Sequence, residues 1–218
     1  MILSVDNICK TFKYGNSERV ILDNLSLSIE RNEFLTINGP SGSGKSTLLY
    51  ILGLLEKPDS GVVVVNGVTP NSSNHATKLR RDNVGFLFQN HYLIPQLTVF
   101  DNILLTAQVN RKSKKDTDNI NDLFKYFNLA HIVNQYPSEI SGGESQRVAF
   151  IRSIVNKPKI VIADEPTGNL DLDNTYKLME VIEAYIKDFG ITFIIATHDS
   201  LIRKKSNRQL YIEKGKLI

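Results

Sequence analysis

The residues best suited to chemistry form a glycine-rich stretch that fits the phosphate-binding-loop pattern G-x-x-x-x-G-K-[ST]. It reads Gly39-Pro40-Ser41-Gly42-Ser43-Gly44-Lys45-Ser46-Thr47. The glycines let the backbone curve around an anion with its N–H groups pointing inward. We predict that Lys45 reaches the β- and γ-phosphates of a nucleotide and that the Ser46 hydroxyl ligates Mg²⁺. A predicted strand over 33–37 and a predicted helix over 46–52 flank the loop, and the helix N-terminus adds a positive dipole end.

Two acids follow another apolar segment. Residues 160–163 are all apolar, as expected of a strand covered on both faces, and Asp164 and Glu165 come directly after them. A carboxylate at the carboxyl end of a buried strand beside a phosphate loop can hold Mg²⁺ directly or through water, so Asp164 is predicted as a metal ligand. Glu165 can face a water in line with the γ-phosphate and is predicted as the general base. The alternative is that two acids simply end a strand.

A further glycine-containing segment predicts a second anion site. Ser141-Gly142-Gly143-Glu144 opens a predicted helix over 144–156, and Ser141 and Glu144 have the spacing of a capping box. The two glycines leave backbone N–H groups uncovered at the helix N-terminus. Because one nucleotide needs only one phosphate loop, a second site indicates that the segment serves the nucleotide of another molecule. The alternative is an ordinary helix cap.

His198 is the remaining candidate. It follows a predicted buried strand over 191–196. A histidine at that position can hydrogen-bond an oxygen of the γ-phosphate, although a surface histidine is the commoner interpretation of the position alone. The other histidines, at 75, 91 and 131, show no spacing to a partner and are assigned no role.

The composition limits the class of protein. Hydrophobic residues make up 41% and charged residues 22% of the 218 residues, which is ordinary for a soluble globular protein. The net charge of +3 is too small to indicate a nucleic-acid partner. Cys9 is the only cysteine, so no internal disulfide can form, which fits a reducing compartment. No apolar run is long enough to span a bilayer, and the N-terminus lacks a secretory layout. If the protein acts at a membrane, we therefore expect it to do so through a partner.

The elements that must position these residues follow from the apolar pattern. It predicts strands over 2–8, 20–29, 62–65, 84–88, 160–163, 191–196 and 209–213, with a turn over 13–17. It predicts helices over 76–81, 99–109, 117–127, 144–156 and 175–187. A basic loop over 112–115 is interpreted as a solvated turn.

This order predicts an α/β fold: a P-loop nucleotide-hydrolase core with a mostly parallel sheet, an antiparallel β subdomain and an inserted α-helical subdomain. We expect a single domain over 1–218. Residues 1–88 and 158–218 would form the α/β core with the antiparallel strands. Residues 89–157 would form the helical subdomain that carries residues 141–143.

The chain resembles the nucleotide-binding subunit of ATP-binding cassette transporters over essentially its full length. After the phosphate loop, Gln89 matches the family's glutamine loop, and Ile140-Ser141-Gly142-Gly143-Glu144 matches the signature motif. Residues 160–165 match the second nucleotide motif with its catalytic glutamate. Gly168-Asn169-Leu170-Asp171 matches the dimer-interface loop, and His198 matches the switch histidine. Several motifs in the right order are far more specific than any one of them. The signature is usually Leu-Ser-Gly-Gly-Gln, so Ile140 replaces leucine, and Glu144 replaces glutamine and puts a negative charge near a phosphate site.

The resemblance implies an ATPase subunit that powers a membrane transporter, with ATP and Mg²⁺ as its cofactors. It implies that two copies sandwich two ATP molecules head to tail. Each site would take the phosphate loop from one copy and Ser141, Gly142 and Gly143 from the other. Hydrolysis would open the sandwich, and permease subunits on other chains would convert that motion into transport.

The resemblance also implies further roles at the nucleotide. Glu165 and His198 are expected to carry catalysis, and Gln89 to contact the nucleotide and the Mg²⁺ shell. Phe12 falls where the family places an aromatic residue that stacks on adenine. Tyr14 lies close enough to be the alternative.

Within the family, the chain looks most like the lipoprotein-release and macrolide-export type and like the ATPases of bacterial antimicrobial-peptide or bacteriocin transporters. The stretch Leu93-Ile94-Pro95-Gln96-Leu97-Thr98-Val99 carries much of that similarity. Permease subunits are expected to dock near Gln89 to Phe100, where apolar residues cluster. The subunit is expected in the cytoplasm on the inner face of the cell membrane, with no nucleic acid bound and no direct membrane insertion.

Three other classes compete with this interpretation. A soluble cassette ATPase of DNA repair or chromosome organisation would insert long coiled coils before the signature, where this chain has no sustained heptads. A ribosome-associated cassette protein resembles two cassettes in one chain. A non-hydrolysing nucleotide-binding regulator would not need both Glu165 and His198.

Overall fold

Strands and helices alternate along the chain in the order predicted for an α/β fold. The structure is a computed structural model that describes residues 1–15, 17–109, 115–168 and 170–218. The strands are β1 (Leu3–Tyr14), β2 (Ser17–Ile29), β3 (Phe34–Asn38), β4 (Ser60–Val65), β5 (Val84–Leu87), β6 (Ile160–Asp164), β7 (Thr192–Ala196), β8 (Arg208–Glu213) and β9 (Lys216–Leu217). The helices are α1 (Lys45–Leu52), α2 (Ser73–Asn83), α3 (Val99–Val109), α4 (Lys115–Tyr126), α5 (Gly142–Ile154), α6 (Leu172–Phe189) and α7 (Ser200–Lys205). Asn169, residues 112–114 of the predicted basic loop and the side chain of Tyr14 lie outside what is described.

The larger sheet is mostly parallel, as predicted. Its described strands lie in the order β5-β6-β7-β3-β8-β9, and only β8 and β9 pair antiparallel. The apolar runs of β6 and β7 are buried, because one hydrophobic core covers each face of the sheet. The carboxyl ends of β3, β6 and β7 meet at one edge, which is where ligands bind in open α/β sheets.

The smaller sheet is antiparallel, in the order β2-β1-β4, and it corrects the predicted bounds of the first strand and of the turn that follows it. β1 continues to Tyr14 rather than ending at residue 8, and Tyr14 pairs with Ser17 in place of the predicted turn over 13–17. The register shifts repeatedly between Val5 and Thr11. Each such bulge breaks the alternation by which a strand is recognised, so the sequence pattern ended too early.

The helices α3, α4 and α5 form a lobe that packs on one face of the larger sheet. Phe150 of α5 is stacked on Phe193 of β7 with ring centroids 6.4 Å apart, and Phe127 lies 5.7 Å from Phe150. All three rings are buried, and burying one phenylalanine contributes about 1.5–3 kcal/mol. The lobe and the sheet therefore share a core, and the bounds 89–157 of the helical subdomain stay a prediction.

Two helices are longer than predicted, because their caps lie outside the apolar pattern. α2 begins after Ser72, whose side chain accepts a hydrogen bond from the His75 N–H. α6 begins after Asp171, which accepts from the Asn174 N–H, and ends at Gly190 with φ 64°. The sequence did not predict α7, which is too short for its periodicity to be recognised. Most other bounds lie close to the predicted ones.

Candidate active site

The phosphate loop joins the end of β3 to the start of α1 and depends on two glycines. Gly39 has φ 151° and Gly44 has φ 107°, a region that other residues rarely adopt. A Cβ atom at Gly39 would lie 2.1 Å from the carbonyl oxygen of Ile212, and one at Gly44 would lie 2.8 Å from that of Ile21. The loop can pass this close to β8 and β2 only because these positions carry no side chain.

Lys45 holds the loop in its curved form. The residue is only 8% exposed, and Nζ donates to the carbonyl oxygens of Gly39 at 2.7 Å and Pro40 at 3.0 Å. An ammonium group carries three hydrogens, so within the described part of the chain one is left for a phosphate oxygen. Helix α1 begins at the same residue, and the positive end of its dipole lies beside the ammonium group.

Glu165 and His198 are brought together beyond the ends of β6 and β7. Glu165 Oε1 lies 3.5 Å from His198 Nε2, and Oε2 accepts the His198 backbone N–H at 3.3 Å and the Thr197 hydroxyl at 3.4 Å. Glu165 adopts φ 46°, which is costly for a residue other than glycine, and its N–H donates to the Ala196 carbonyl at 2.9 Å. This turn directs the carboxylate toward the segment that carries His198.

A cleft of about 480 Å³ collects most of the predicted nucleotide residues, which are Ser41, Gly42, Gly44, Lys45, Ser46, Thr47, Gln89, Asp164, Glu165 and His198. Gly168, from the match to the dimer-interface loop, also lines it. Three residues of the phosphate loop do not line it: Ser43 is buried, and the carbonyls of Gly39 and Pro40 bind Lys45. The cleft therefore unites hydroxyl, carboxylate and amide oxygens, which are the hard ligands that suit Mg²⁺.

Arg19 and Ile21 also line the cleft, and the sequence did not single them out. They lie two residues apart on β2 and so face the same side. Arg19 Nη2 lies 3.6 Å from where a Cβ at Gly42 would be, which places a cation beside the phosphate loop. Phe12 does not line the cleft, but it pairs with Arg19 across β1 and β2. A strand predicted to continue to residue 14 would have paired Phe12 with Arg19 and so predicted Arg19 near the nucleotide. The sequence pattern ended β1 at residue 8, and Arg19 was therefore missed.

The signature segment lies at the N-terminus of α5 and does not line this cleft. Ser141 and Glu144 form the predicted capping box, in which Glu144 Oε2 accepts the Ser141 hydroxyl at 2.7 Å and the Ser141 N–H at 2.8 Å. These hydrogen bonds hold the pKa of Glu144 below its ordinary value. A Cβ at Gly142 would meet no described atom within 4 Å, and one at Gly143 would have its nearest neighbour at 3.8 Å. The helix end is therefore open.

Glu144 has a second partner that the sequence did not reveal. Nε2 of His131 lies 3.1 Å from Glu144 Oε1. The His131 side chain is 64% exposed, whereas that of Glu144 is 19% exposed. His131 belongs to the short 3₁₀ helix Ala130–Ile132, and no periodic pattern relates it to α5.

A second cleft, of about 560 Å³, lies between α2 and β5 on one side and α3 and α5 on the other. Its apolar lining is contributed by Leu55, Val84, Phe86, Phe88, Tyr92, Leu105, Val109 and Pro158. Of the apolar residues in the docking segment expected from Gln89 to Phe100, Tyr92 alone is among the lining residues, whereas Leu93 and Phe100 pack against the core of the lobe. Within the described ranges, no helix has both the length and the apolar character needed to cross a membrane.

The fold and the first cleft define a P-loop nucleotide hydrolase. The phosphate loop lies between a parallel strand and a helix, and the two acids and the histidine meet it from the ends of β6 and β7. The family model described as ABC transporter matches residues 22–168, and the chain belongs to that family.

Relatives match along the whole chain. It is 40% identical over 220 residues to the lipoprotein-releasing system ATP-binding protein LolD of Buchnera aphidicola subsp. Acyrthosiphon pisum (strain APS), with 100% of this chain and 96% of that protein covered. Two dimeric structures of the ATP-binding cassette MJ0796, one in a post-hydrolysis state bound to ADP and Pi, match with TM-score 0.94 and 35% identity. Each match covers 99% of this chain and 96% of that cassette.

These comparisons confirm the predicted fold class and the family resemblance. The chain is the ATP-hydrolysing subunit of an ABC transporter. A cassette ATPase that is not coupled to transport is not favoured, because the family match and the LolD similarity both point to a transporter.

Proposed function

We propose that two copies of this chain bind two ATP molecules head to tail, each between the phosphate loop of one copy and the signature segment of the other. One observation carries the proposal. Lys45, Asp164 and Glu165 share a cleft, whereas the open helix end at residues 141–143 lies outside it. A helix N-terminus with uncovered N–H groups attracts phosphate, and a second copy would bring it to the γ-phosphate. The dimers described for the related MJ0796 cassette support an assembly of two copies.

The phosphates would be held by charge and by backbone donors. The remaining hydrogen of Lys45 would bind a β- or γ-phosphate oxygen, and the N–H groups of the loop would surround the chain of phosphates. Ser46, Asp164 and Gln89 would hold Mg²⁺, directly or through water, because their oxygens share the cleft. The metal ion would neutralise charge that develops on the phosphate oxygens.

Glu165 would act as the general base. Its carboxylate faces the cleft and is held loosely by the Thr197 hydroxyl and the His198 N–H. When water attacks the γ-phosphorus, its proton would pass to Glu165 as the bond to ADP breaks. His198 lines the same cleft and would donate a hydrogen bond to a γ-phosphate oxygen.

The adenine ring of ATP would bind on the antiparallel sheet. Phe12 would stack on adenine, and its partner Arg19 would lie toward the phosphate loop. Tyr14 is two residues further along β1 and is the alternative ring.

The second cleft would receive a helix of the permease. Tyr92, Leu105 and Val109 are 64%, 46% and 54% exposed, and arginines from α2 and α5 border the lining. Exposed apolar patches with a polar border mark interaction sites, and a groove of this kind suits an amphipathic helix. The subunit would then lie on the cytoplasmic face of the cell membrane through its permease. The relative is named for lipoprotein release, so a lipoprotein is the favoured cargo, with a peptide or a drug as the alternatives.

The Glu165→Gln variant tests both the head-to-tail dimer and the role of Glu165 as general base. The amide keeps the shape of the side chain and removes the base, so ATP should bind normally, turnover should become very slow and an ATP-bound dimer should accumulate on a sizing column. Lys45→Ala is the control, because loss of the ammonium should abolish ATP binding and with it dimer formation. A Glu165→Gln variant that stays monomeric with saturating ATP would contradict the head-to-tail arrangement.

A further inference from the structure

The signature serine is already engaged within its own molecule. Its hydroxyl lies 2.7 Å from Glu144 Oε2, and an ionised carboxylate can only accept, so the hydroxyl hydrogen of Ser141 is directed at Glu144. In the proposed sandwich the same hydroxyl would come close to the γ-phosphate bound to the partner copy, and it could donate there only by turning away from Glu144. The sandwich also brings a phosphate toward the Glu144 carboxylate, whose charge opposes the approach.

His131 contacts this carboxylate from outside α5. Its Nε2 lies 3.1 Å from Oε1, so Oε2 is left to Ser141. Because the ionised carboxylate accepts, Nε2 must carry the hydrogen and the imidazole donates. The two oxygens of Glu144 therefore have separate partners, and rotation of the Ser141 hydroxyl does not require the contact with His131 to break.

We propose that His131 is a positioning residue for the ATP sandwich, which holds Glu144 at Oε1 and offsets its charge so that Ser141 can turn to the partner's γ-phosphate. The inference rests on the head-to-tail arrangement proposed above. His131 touches neither the nucleotide nor the reacting atoms and acts through Glu144. The hydrogen bonds from Ser141, followed by the contact with His131, hold the pKa of Glu144 below its ordinary value, which agrees with a carboxylate that stays ionised and needs this compensation.

The test measures ATP-driven dimerisation in the Glu165→Gln background by sedimentation equilibrium. His131→Leu should weaken the dimer while ATP affinity of the monomer and the melting temperature stay unchanged. Contacts of this exposed kind change an equilibrium roughly two- to five-fold. Because the contact occurs at both sites of a symmetric dimer, the dimer dissociation constant should rise about four- to twenty-five-fold.

Matched variants separate charge from shape. His75→Leu is the control, because His75 contacts Asn71 beside α2 and lies in neither nucleotide segment, and it should leave dimerisation unchanged. His131→Lys supplies an ammonium donor at the same position and should restore most of the affinity. Glu144→Gln keeps the capping box and removes the charge, so it should dimerise at least as tightly as the parent.

The decisive measurement is a double-mutant cycle. His131→Leu should have no further effect once Glu144→Gln is present, because the charge it offsets has gone. Equal weakening with and without Glu144→Gln, or no weakening by His131→Leu in a parent that dimerises, would overturn the role of His131 alone. A parent that does not dimerise with ATP would overturn the head-to-tail arrangement, and the role of His131 with it.

Discussion

The carboxylate of Glu165 lies 3.5 Å from the imidazole Nε2 of His198, although 33 positions separate the two residues in the sequence. Parallel pairing of β6 with β7 places Asp164 opposite Ala196, so the residues that follow each strand emerge side by side. The hydrogen bond from the Glu165 N–H to the Ala196 carbonyl fixes this relationship through the backbone. The carboxylate and the imidazole therefore face one cleft from two neighbouring strands.

His198→Ala should lower kcat at least about 100-fold with little change in KM. The reason is that a donor to a transferring phosphoryl group is needed most in the transition state. Steady-state ATPase kinetics of the purified subunit would measure it, with His75→Ala as the control. A raised KM at normal kcat would show instead that His198 only helps to bind ATP.

Phe12→Ala should weaken ATP binding by roughly 1–3 kcal/mol, the range for loss of base–aromatic stacking. Calorimetry on the monomer would measure the change. Loss on Tyr14→Ala in its place would identify Tyr14 as the stacking ring.

Arg19→Leu should also weaken ATP binding, but through charge rather than stacking. Arg19 lies beside the phosphate loop and is exposed, so salt should screen its contribution. The ratio of wild-type to Arg19→Leu affinity should therefore shrink as ionic strength rises, whereas the ratio for Phe12→Ala should hold. A salt-independent effect of Arg19→Leu would exclude a phosphate contact.

Gly143→Asp should leave ATP binding by the monomer intact and block turnover, because the new carboxylate would meet the partner's γ-phosphate. The fold should tolerate it, since the nearest atom to a Cβ at this position is Leu170 Cδ2 at 3.8 Å. Calorimetry and an ATPase assay on the same preparation would test both halves. Lost ATP binding by the monomer would mean that the signature acts within its own chain.

Leu105→Glu should spare the ATPase activity of the isolated subunit and reduce co-purification with the permease. Leu105 is 46% exposed and lines the second cleft, so a charge there should oppose docking without entering the core. Val62→Glu, at a similar exposure of 45% on the antiparallel sheet, is the control. Normal transport with Leu105→Glu would place the docking surface elsewhere.

Most residues that line the first cleft could be predicted from the sequence, because each belongs to a short motif or directly follows an apolar strand. The phosphate loop is continuous in sequence, and Asp164 and His198 each follow an apolar strand whose carboxyl end faces the same edge of the sheet. The parallel order of the strands then brings them together. The capping box at Ser141 and Glu144 was predictable for the same reason, since its spacing is fixed by one helical turn.

The missed residues depend on contacts that no local pattern encodes. Arg19 reaches the cleft through the register of a bulged hairpin, and His131 reaches Glu144 from a separate short helix. An apolar run also does not distinguish core from surface: Leu93 and Phe100, which were expected near the docking surface, are partly buried and pack against the core of the lobe. The groove itself is assembled from the consecutive elements α2 and β5 together with α3 and α5, which follow later in the sequence, so no single local pattern predicts it.

The stacked rings of Phe150 and Phe193 bear on whether the helical lobe is a separable module. A fragment covering residues 89–157 would keep Phe150 and lose the ring from β7 that covers it. Phe150 would then face water on the side that Phe193 covers, which favours aggregation over independent folding. The helical lobe is thus an insertion between the strands of the sheet along the sequence. Because the lobe and the sheet share a core, we expect them to unfold together as one cooperative unit.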